Sequence, residues 1–542
     1  MELTDKLYKR WSVLVFSGLI TSLTLAIPEI GILGWLSLIP AAMILLSFGT
    51  DKKIGYPEIF SYGAAFFLPF YLVNTNWFLY MYPLDFIYGM STGTALFIVL
   101  LAWLSVSFFQ ATIGGVMFTL AAIIFRSRLM TRLPALRPLA MGGVWCVYEW
   151  IETLGWWGMP NCSLALSQVK FPLLTQTASL FGSYFVTFLI VAVNFYLAYV
   201  LIAMRSEGEE KERGRVIKKM SLIAACILVG NCICGGILWF VNSPDANGET
   251  VKAAAIQANI PMNEHYTKSE LKQIYGDMTK EAAEQGAEVV VWSETAFPYV
   301  VESVEGFASE LAAETGVIIV TGIFTEGENG ETYNSLACFT PDGGLQTDVY
   351  SKRHLVPFGE FVPLKSFIDT CLPALSELAT LGSDMTAGDG VYVIDTGKEK
   401  IGAGVCYDAA YEDVTLNGVR DGAEYFCISS NDAWFDDSVF LTFHNSQLIL
   451  RSVESGRYFV HSANTGKSAI INCRGEMLSE LDAMEKGIAI EDISLRTHRT
   501  LYSYIGNSFL YLCMAASAVL IVYGTVSVVS ESVKNKKRND IV

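Results

Sequence analysis

Three β-rich runs in the second half of the chain each end in a side chain able to do covalent chemistry. VVVWSETAFP offers Glu294, DVYSKRHLVPFGEF offers Lys352 and GAGVCYD offers Cys406. A thiol attacks only after losing its proton, and no histidine stands near Cys406 in the sequence. If the three strand ends converge, Glu294 is the general base that takes the thiol proton. The Lys352 ammonium then stabilises the thiolate, making it accessible near neutral pH, and also the oxyanion that forms on attack at a carbonyl. The competing reading of a lone cysteine is a buried structural thiol. Cys338, Cys427 and Cys473, in strand-like runs without polar partners, fit that reading.

These runs belong to a stretch of distinct texture. From residue 251 short β-rich segments alternate with amphipathic helical ones, which predicts an α/β or α+β sandwich. Residues 242 to 503 carry 40 acidic and 17 basic side chains, against 14 and 20 in the remainder, for a net charge of −17. So acidic a segment argues against a nucleic-acid partner, which would need clustered Lys and Arg for its phosphates. The 11 cysteines include no CxxC pair and the 5 histidines no ligand spacing, so neither a metal nor another cofactor is expected. His354 and His444 are candidates to line the site.

The rest of the chain is apolar enough for a membrane. Runs at 11–28, 32–48, 58–80, 94–125, 138–154, 176–204, 221–241 and 505–530 predict eight transmembrane helices, each close to the ~20 residues that cross a hydrocarbon core. Lysine and arginine collect in alternate connections, 19 against the single Lys170, which places both termini in the cytoplasm and residues 242–503 outside. The expected organisation is a membrane domain of seven helices at 1–241, an extracytoplasmic catalytic domain at 242–503, and a last helix with a basic tail at 504–542. Aromatic residues near 76–87 and 145–157 read as interfacial belts. Glu149, an ionisable group in an apolar span, is a candidate for contact with a lipid headgroup or with the outer domain.

The order Glu, Lys, Cys, embedded in SETAFP, KRHLVPFGE and VCYD, resembles the nitrilase (carbon–nitrogen hydrolase) superfamily over about 240 residues. That resemblance implies an αββα sandwich. Seven spans before such a domain and one after it, with GVWCVYEW at 143–150, GMPNCSLALSQ at 158–168, LVPFGEFVPL and SNDAWF, resemble the bacterial apolipoprotein N-acyltransferase family. The resemblance implies that Cys406 takes a fatty acyl chain from a phospholipid as a thioester and passes it to the N-terminal α-amine of a diacylated lipoprotein. Donor and acceptor are both anchored in the bilayer, so the site should lie at its surface and exclude water.

The resemblance also assigns supporting roles. Glu360 corresponds to the family's second essential glutamate, the Tyr407 N–H to a second oxyanion donor, and Asn334, Asn431 and Trp434 to the pocket floor. Tyr266 stands where the family's aromatic clamp is usually tryptophan, and Tyr266, Glu149 and His354 are expected at the substrate or lid. Three further departures are Asp408 for a usual glutamate, Asn161 for a usual tryptophan and Glu152 near a usual arginine; these bear on chain preference and lid behaviour more than on reaction type. The alternatives are a membrane-anchored amidase acting on an extracytoplasmic amide, for which one span would suffice, and a transporter with an inactive outer domain. Against the transporter, Glu294, Lys352 and Cys406 are all intact, and no paired interrupted helices carry charges at midplane.

Overall fold

The computed structural model describes residues 2–84, 90–207, 209–244, 248–261, 264–371 and 384–539. It divides into two compact units, one of Met1–Asn76, Leu100–Trp239 and Ile505–Val542, the other of Trp77–Val99 and Phe240–Tyr504.

The first unit is helical. By length and composition, five helices could cross a membrane: Pro28–Ser47, Thr92–Phe125, Ser183–Arg205, Glu210–Val241 and Ser508–Glu531. Helices also form at Glu2–Ala26, Tyr56–Asn74 and Arg137–Ile151, where the sequence predicts three more spans. The last has 15 residues. At 1.5 Å per residue it is about 22 Å long, short of a hydrocarbon core of about 30 Å. Its aromatic side chains are no interfacial belt: Trp145 and Tyr148 are buried, and Trp145 packs on Phe66 and Phe67. Trp156, 42% exposed, keeps the outward position expected of a belt residue. The side chains of Lys536, Lys537 and Arg538, and the aromatic stretch beyond Leu84, lie outside the described residues.

The second unit contains two sheets. The strands are β1 (Thr250–Gln257), β2 (Val289–Val291), β3 (Ile318–Glu326), β4 (Thr332–Thr340), β5 (Gly344–Leu345), β6 (Tyr350–Ser351), β7 (Val393–Asp395), β8 (Lys400–Val405), β9 (Tyr425–Ser430), β10 (Phe459–Ala463), β11 (Ala469–Ile471), β12 (Met477–Glu480) and β13 (Gly487–Ser494). One sheet runs β13-β1-β2-β3-β4-β5, with β6 also on β4, and the other β12-β11-β10-β9-β8-β7. Strands β1, β2 and β3 are parallel in the first sheet, as are β8, β9 and β10 in the second, while the outer strands pair antiparallel.

The alternation of side chains along a strand sorts the apolar residues between two cores. Ala253, Ala255, Val289, Val291 and Val320 face one core, shared with Ile401, Ala403, Val405 and Cys427 of the second sheet. Ala254, Ile256, Val290, Trp292 and Ile319 face the other, under helices Lys268–Glu284 and Glu305–Thr315. Helices Glu412–Arg420 and Val439–Ser455 pack on the second sheet. The layers are helix, sheet, sheet, helix. Cys338, Cys427 and Cys473 lie in the inter-sheet core, as buried thiols.

Candidate active site

Because β2, β8 and β9 are parallel within their sheets, the residues that follow them leave the fold at strand C-terminal ends, where α/β proteins place their sites. Glu294 lies three residues past β2, Cys406 directly follows β8, Asn431 follows β9, and Lys352 follows β6. Hydrogen bonds tie the ends of the two sheets together. The Ser429 hydroxyl donates to Trp292 O at 2.7 Å, and Glu294 N donates to Ser430 O at 3.3 Å. On β3, a Cβ at Gly322 would stand 2.5 Å from the Glu294 Cα, so only glycine allows the Glu294 backbone to come this close. Thr295 and Cys406 both adopt positive φ, 49° and 46°, a region costly for non-glycine residues and concentrated at functional turns.

Glu294, Lys352, Glu360 and Asn334 form one buried network. Lys352 Nζ donates to Glu294 Oε1 at 3.1 Å and to Glu360 Oε1 at 2.9 Å. Asn334 Nδ2 donates to the same two oxygens at 2.6 and 2.7 Å. The other carboxylate oxygens accept backbone N–H groups, Glu294 Oε2 from Asn431 at 2.8 Å and Glu360 Oε2 from Val356 at 2.8 Å. Lys352 N donates to Asn334 O at 2.7 Å, which registers the lysine against β4. With Lys352 only 1% exposed, this is an ion-pair cluster held out of water, where loss of one charge would strand the others.

The charges of this network act on Cys406, which follows β8. Burial pushes its thiol well above the usual range, the Glu294 carboxylate adds to the rise, and the Lys352 ammonium opposes both. Burial likewise raises Glu294, against the pull of Lys352. For Lys352, burial works against the charge, but Glu294 and Glu360 together outweigh it and hold the ammonium above its ordinary range. The rise at Cys406 runs against the expectation of a thiolate accessible near neutral pH.

Asp408 is an anchor for the turn that carries the nucleophile. Its Oδ2 accepts from the Tyr350 hydroxyl at 2.7 Å and from Val405 N at 3.1 Å, and its Oδ1 from His354 N at 2.9 Å and Arg353 N at 3.3 Å. One carboxylate thus joins the segment after Lys352 to the strand before Cys406. Asp408→Asn would set an NH2 group against these donors. The expected loss is about 2–3 kcal/mol of stability together with a fall in turnover, read by thermal unfolding and by acyl transfer. An unchanged melting temperature would remove the anchoring role. The His354 ring stacks on Tyr411 at 3.7 Å and its Nε2 lies 3.0 Å from Asp413 Oδ1, so its side chain is engaged by these two residues. The Tyr407 ring meets Tyr411 edge-on at 5.3 Å.

Other predicted residues fall elsewhere. Trp434 is half-buried in the turn after β9. Tyr266 packs against the helix-side core of the first sheet, with its hydroxyl donating to Glu264 at 2.7 Å. Glu149 belongs to the helical unit and is buried, accepting from Ser163 Oγ, Thr187 Oγ1 and Leu164 N, each at 2.8 Å. Its carboxylate is used inside that unit rather than offered to a headgroup or the outer domain.

Two features escaped the sequence. Trp77, read there as part of an interfacial belt, lies edge-on to Phe435 and Phe440 at 5.2 and 5.4 Å. Asp432, His444 and His461 bring donor atoms within 4.8 Å of one another, but each ring nitrogen already faces a protein partner, which makes the trio a hydrogen-bonded cluster rather than a set of ligands. The SNDAW motif was the available signal for Asp432, and His444, 12 positions further on, was a candidate to line the site; His461, 29 positions on, carried no signal.

A two-sheet sandwich with glutamate, lysine and cysteine at its strand ends defines a carbon–nitrogen hydrolase-type domain, and the carbon–nitrogen hydrolase family model matches residues 252–502. The model of the apolipoprotein N-acyltransferase N-terminal domain matches residues 17–196. Apolipoprotein N-acyltransferase of Gloeobacter violaceus is 29% identical over 529 residues, 96% of this chain and 94% of that protein. That of Synechocystis sp. is 30% identical over 393 residues, 70% of this chain and 72% of the relative, and that of Geobacter metallireducens 29% over 375, covering 67% and 69%. The chain belongs to the apolipoprotein N-acyltransferase family.

Proposed function

We propose that this membrane protein transfers a fatty acyl chain from a phospholipid to the N-terminal α-amine of S-diacylglyceryl-cysteine in lipoproteins, through a thioester on Cys406. The observation that carries the reading is the buried Glu294, Lys352, Glu360 and Asn334 network at the strand ends beside Cys406, in a chain that also matches the family's helical domain. As Glu294 takes the thiol proton, sulfur attacks the ester carbonyl of the phospholipid, and the oxyanion is met by the Lys352 ammonium and the Tyr407 N–H. Collapse breaks the C–O bond. Glu294 returns its proton to the leaving glycerol oxygen, which yields the lysophospholipid and the thioester. The lipoprotein amine then attacks the thioester carbonyl, loses a proton to Glu294, and leaves as the amide while the thiol is restored.

The topology that serves this reaction is eight spans with both termini cytoplasmic and residues 242–503 outside. It is supported by the five long apolar helices, the two further helices Glu2–Ala26 and Tyr56–Asn74 at predicted spans, and the alternation of basic connections; the eighth, Arg137–Ile151, is the short one. The partners are then a phospholipid donor, a diacylated lipoprotein and the bilayer. To test the reaction, the full chain in detergent is given a phospholipid with a fluorescent acyl chain. A label on Cys406 that neutral hydroxylamine removes, and that a diacylated lipopeptide discharges onto its own amine, is the expected result. Discharge only to free fatty acid would turn the assignment toward the amidase-type hydrolase.

A further inference from the structure

Beneath the nucleophile, among the described residues, lies a second buried polar group that the reaction above does not use. Asp432, His444 and His461 are 1%, 4% and 1% exposed. His444 Nδ1 lies 3.3 Å from Asp432 Oδ1, and His444 Nε2 lies 3.2 Å from the backbone oxygen of Cys406. Burial alone would raise the Asp432 carboxyl, but the His444 ring, with His461 and Lys352, holds it below its ordinary range, so it remains an acceptor. A backbone carbonyl oxygen also only accepts. The His444 Nε2 that faces the Cys406 carbonyl is therefore the donor of that hydrogen bond.

His461 is arranged differently. Its Nδ1 faces Asn445 Oδ1 at 3.0 Å and its Nε2 faces Ser430 Oγ at 2.9 Å. Burial, followed by the charge of His444, pushes its pKa down to about 3, which leaves it neutral. The groups around the His444 ring are therefore Asp432, neutral His461, the Cys406 carbonyl and the Phe440 ring at 5.9 Å.

The carbonyl that His444 holds belongs to the peptide unit joining Cys406 to Tyr407. The other end of that planar unit is the Tyr407 N–H, so fixing one end fixes the direction of the other. We propose that His444, anchored by Asp432, is a positioning residue that aims and polarises this peptide unit so that the Tyr407 N–H serves as oxyanion donor alongside Lys352. The proposal rests on the thioester reading above. Two physical reasons support it: Cys406 sits at φ 46°, a conformation that persists only when its surroundings impose it, and a hydrogen bond accepted at a peptide oxygen strengthens donation from the same peptide's N–H.

The test compares two reactions of the same sulfur in the full-length protein. Acylation by a fluorescent phospholipid develops an oxyanion, whereas alkylation by iodoacetamide displaces iodide from a saturated carbon and develops none. Both are followed by mass spectrometry of the peptide that contains Cys406. In His444→Phe, acylation should fall about 10- to 100-fold while alkylation changes little; in His444→Gln, whose amide still donates to the carbonyl, acylation should be intermediate. Acylation in folded His444→Phe close to the parent rate, or equal falls in both reactions, would overturn the proposal. If phenylalanine prevents folding, the same comparison in His444→Gln and Asp432→Asn decides it. A parent protein that alkylates at Cys406 but never forms the hydroxylamine-labile adduct would instead sink the thioester reading, and this proposal with it.

Discussion

Cys406→Ala should abolish the hydroxylamine-labile acyl label and lower transfer by a factor on the order of 10⁶, the loss seen when a nucleophile that acts as one unit with its base is removed. The fold should survive. The Glu294, Lys352, Glu360 and Asn334 hydrogen bonds do not involve the sulfur, so deleting it should cost only about 1 kcal/mol. The comparison is clean because the other cysteines stand as controls: Cys226 is exposed yet carries no surrounding network, and Cys338 and Cys427 are core. Persistent label in the alanine variant would move the acyl carrier to another residue.

Lys352→Met should have the second largest effect, and it should be visible in two measurements. Loss of an oxyanion partner lowers turnover by about 10²–10³, or roughly 3–4 kcal/mol of transition-state stabilisation. In addition, the substitution leaves two buried carboxylates facing each other without their cation, which costs about 3–5 kcal/mol of stability. The pH dependence separates this from a packing defect. In the parent protein the Lys352 ammonium is held above its ordinary range, so its contribution is complete below about pH 10.4 and is lost only as the pH rises through the still higher folded value. In the variant, Glu294 keeps the raising influences of burial and Glu360 and loses the largest opposing one, keeping the Asn334 hydrogen bond against them. Its folded pKa then stands above the unfolded value, so the penalty is absent below about pH 4.3 and grows as the pH rises through the folded value. The variant should therefore lie closer to the parent in thermal unfolding at pH 5 than at pH 8. A gap independent of pH would reject the stranded-carboxylate account.

The candidate residues Glu294, Lys352 and Cys406 were legible because each closes a β-rich run. A short, continuously apolar run bounded by turn residues is a local property of a strand buried on both faces, and VVVW, KIGAGV and YFCISS carry it. Glu360 was legible only through a family motif, and its sharing of Lys352 and Asn334 with Glu294 was not, because those four side chains come from segments up to 66 residues apart. Asp408 was legible only as a departure from a usual glutamate; its four donors from two segments could not be counted from sequence. The misreadings share one cause. Trp77, Trp145 and Glu149 have the composition of interface residues, yet each is packed by partners far along the chain.

The sequence by itself determined the two textures of this protein, the strands that carry Glu294, Lys352 and Cys406, and the apolar lengths that a bilayer can accept, since all of these depend on residue type and spacing over a few turns or a few strand positions. Only the tertiary structure decided that burial raises the Cys406 thiol, that Asn431 serves Glu294 through its backbone, and that His444 holds the Cys406 carbonyl. Those outcomes depend on burial and on the direction of individual donors, and both arise when distant segments exclude water from the same few ångströms.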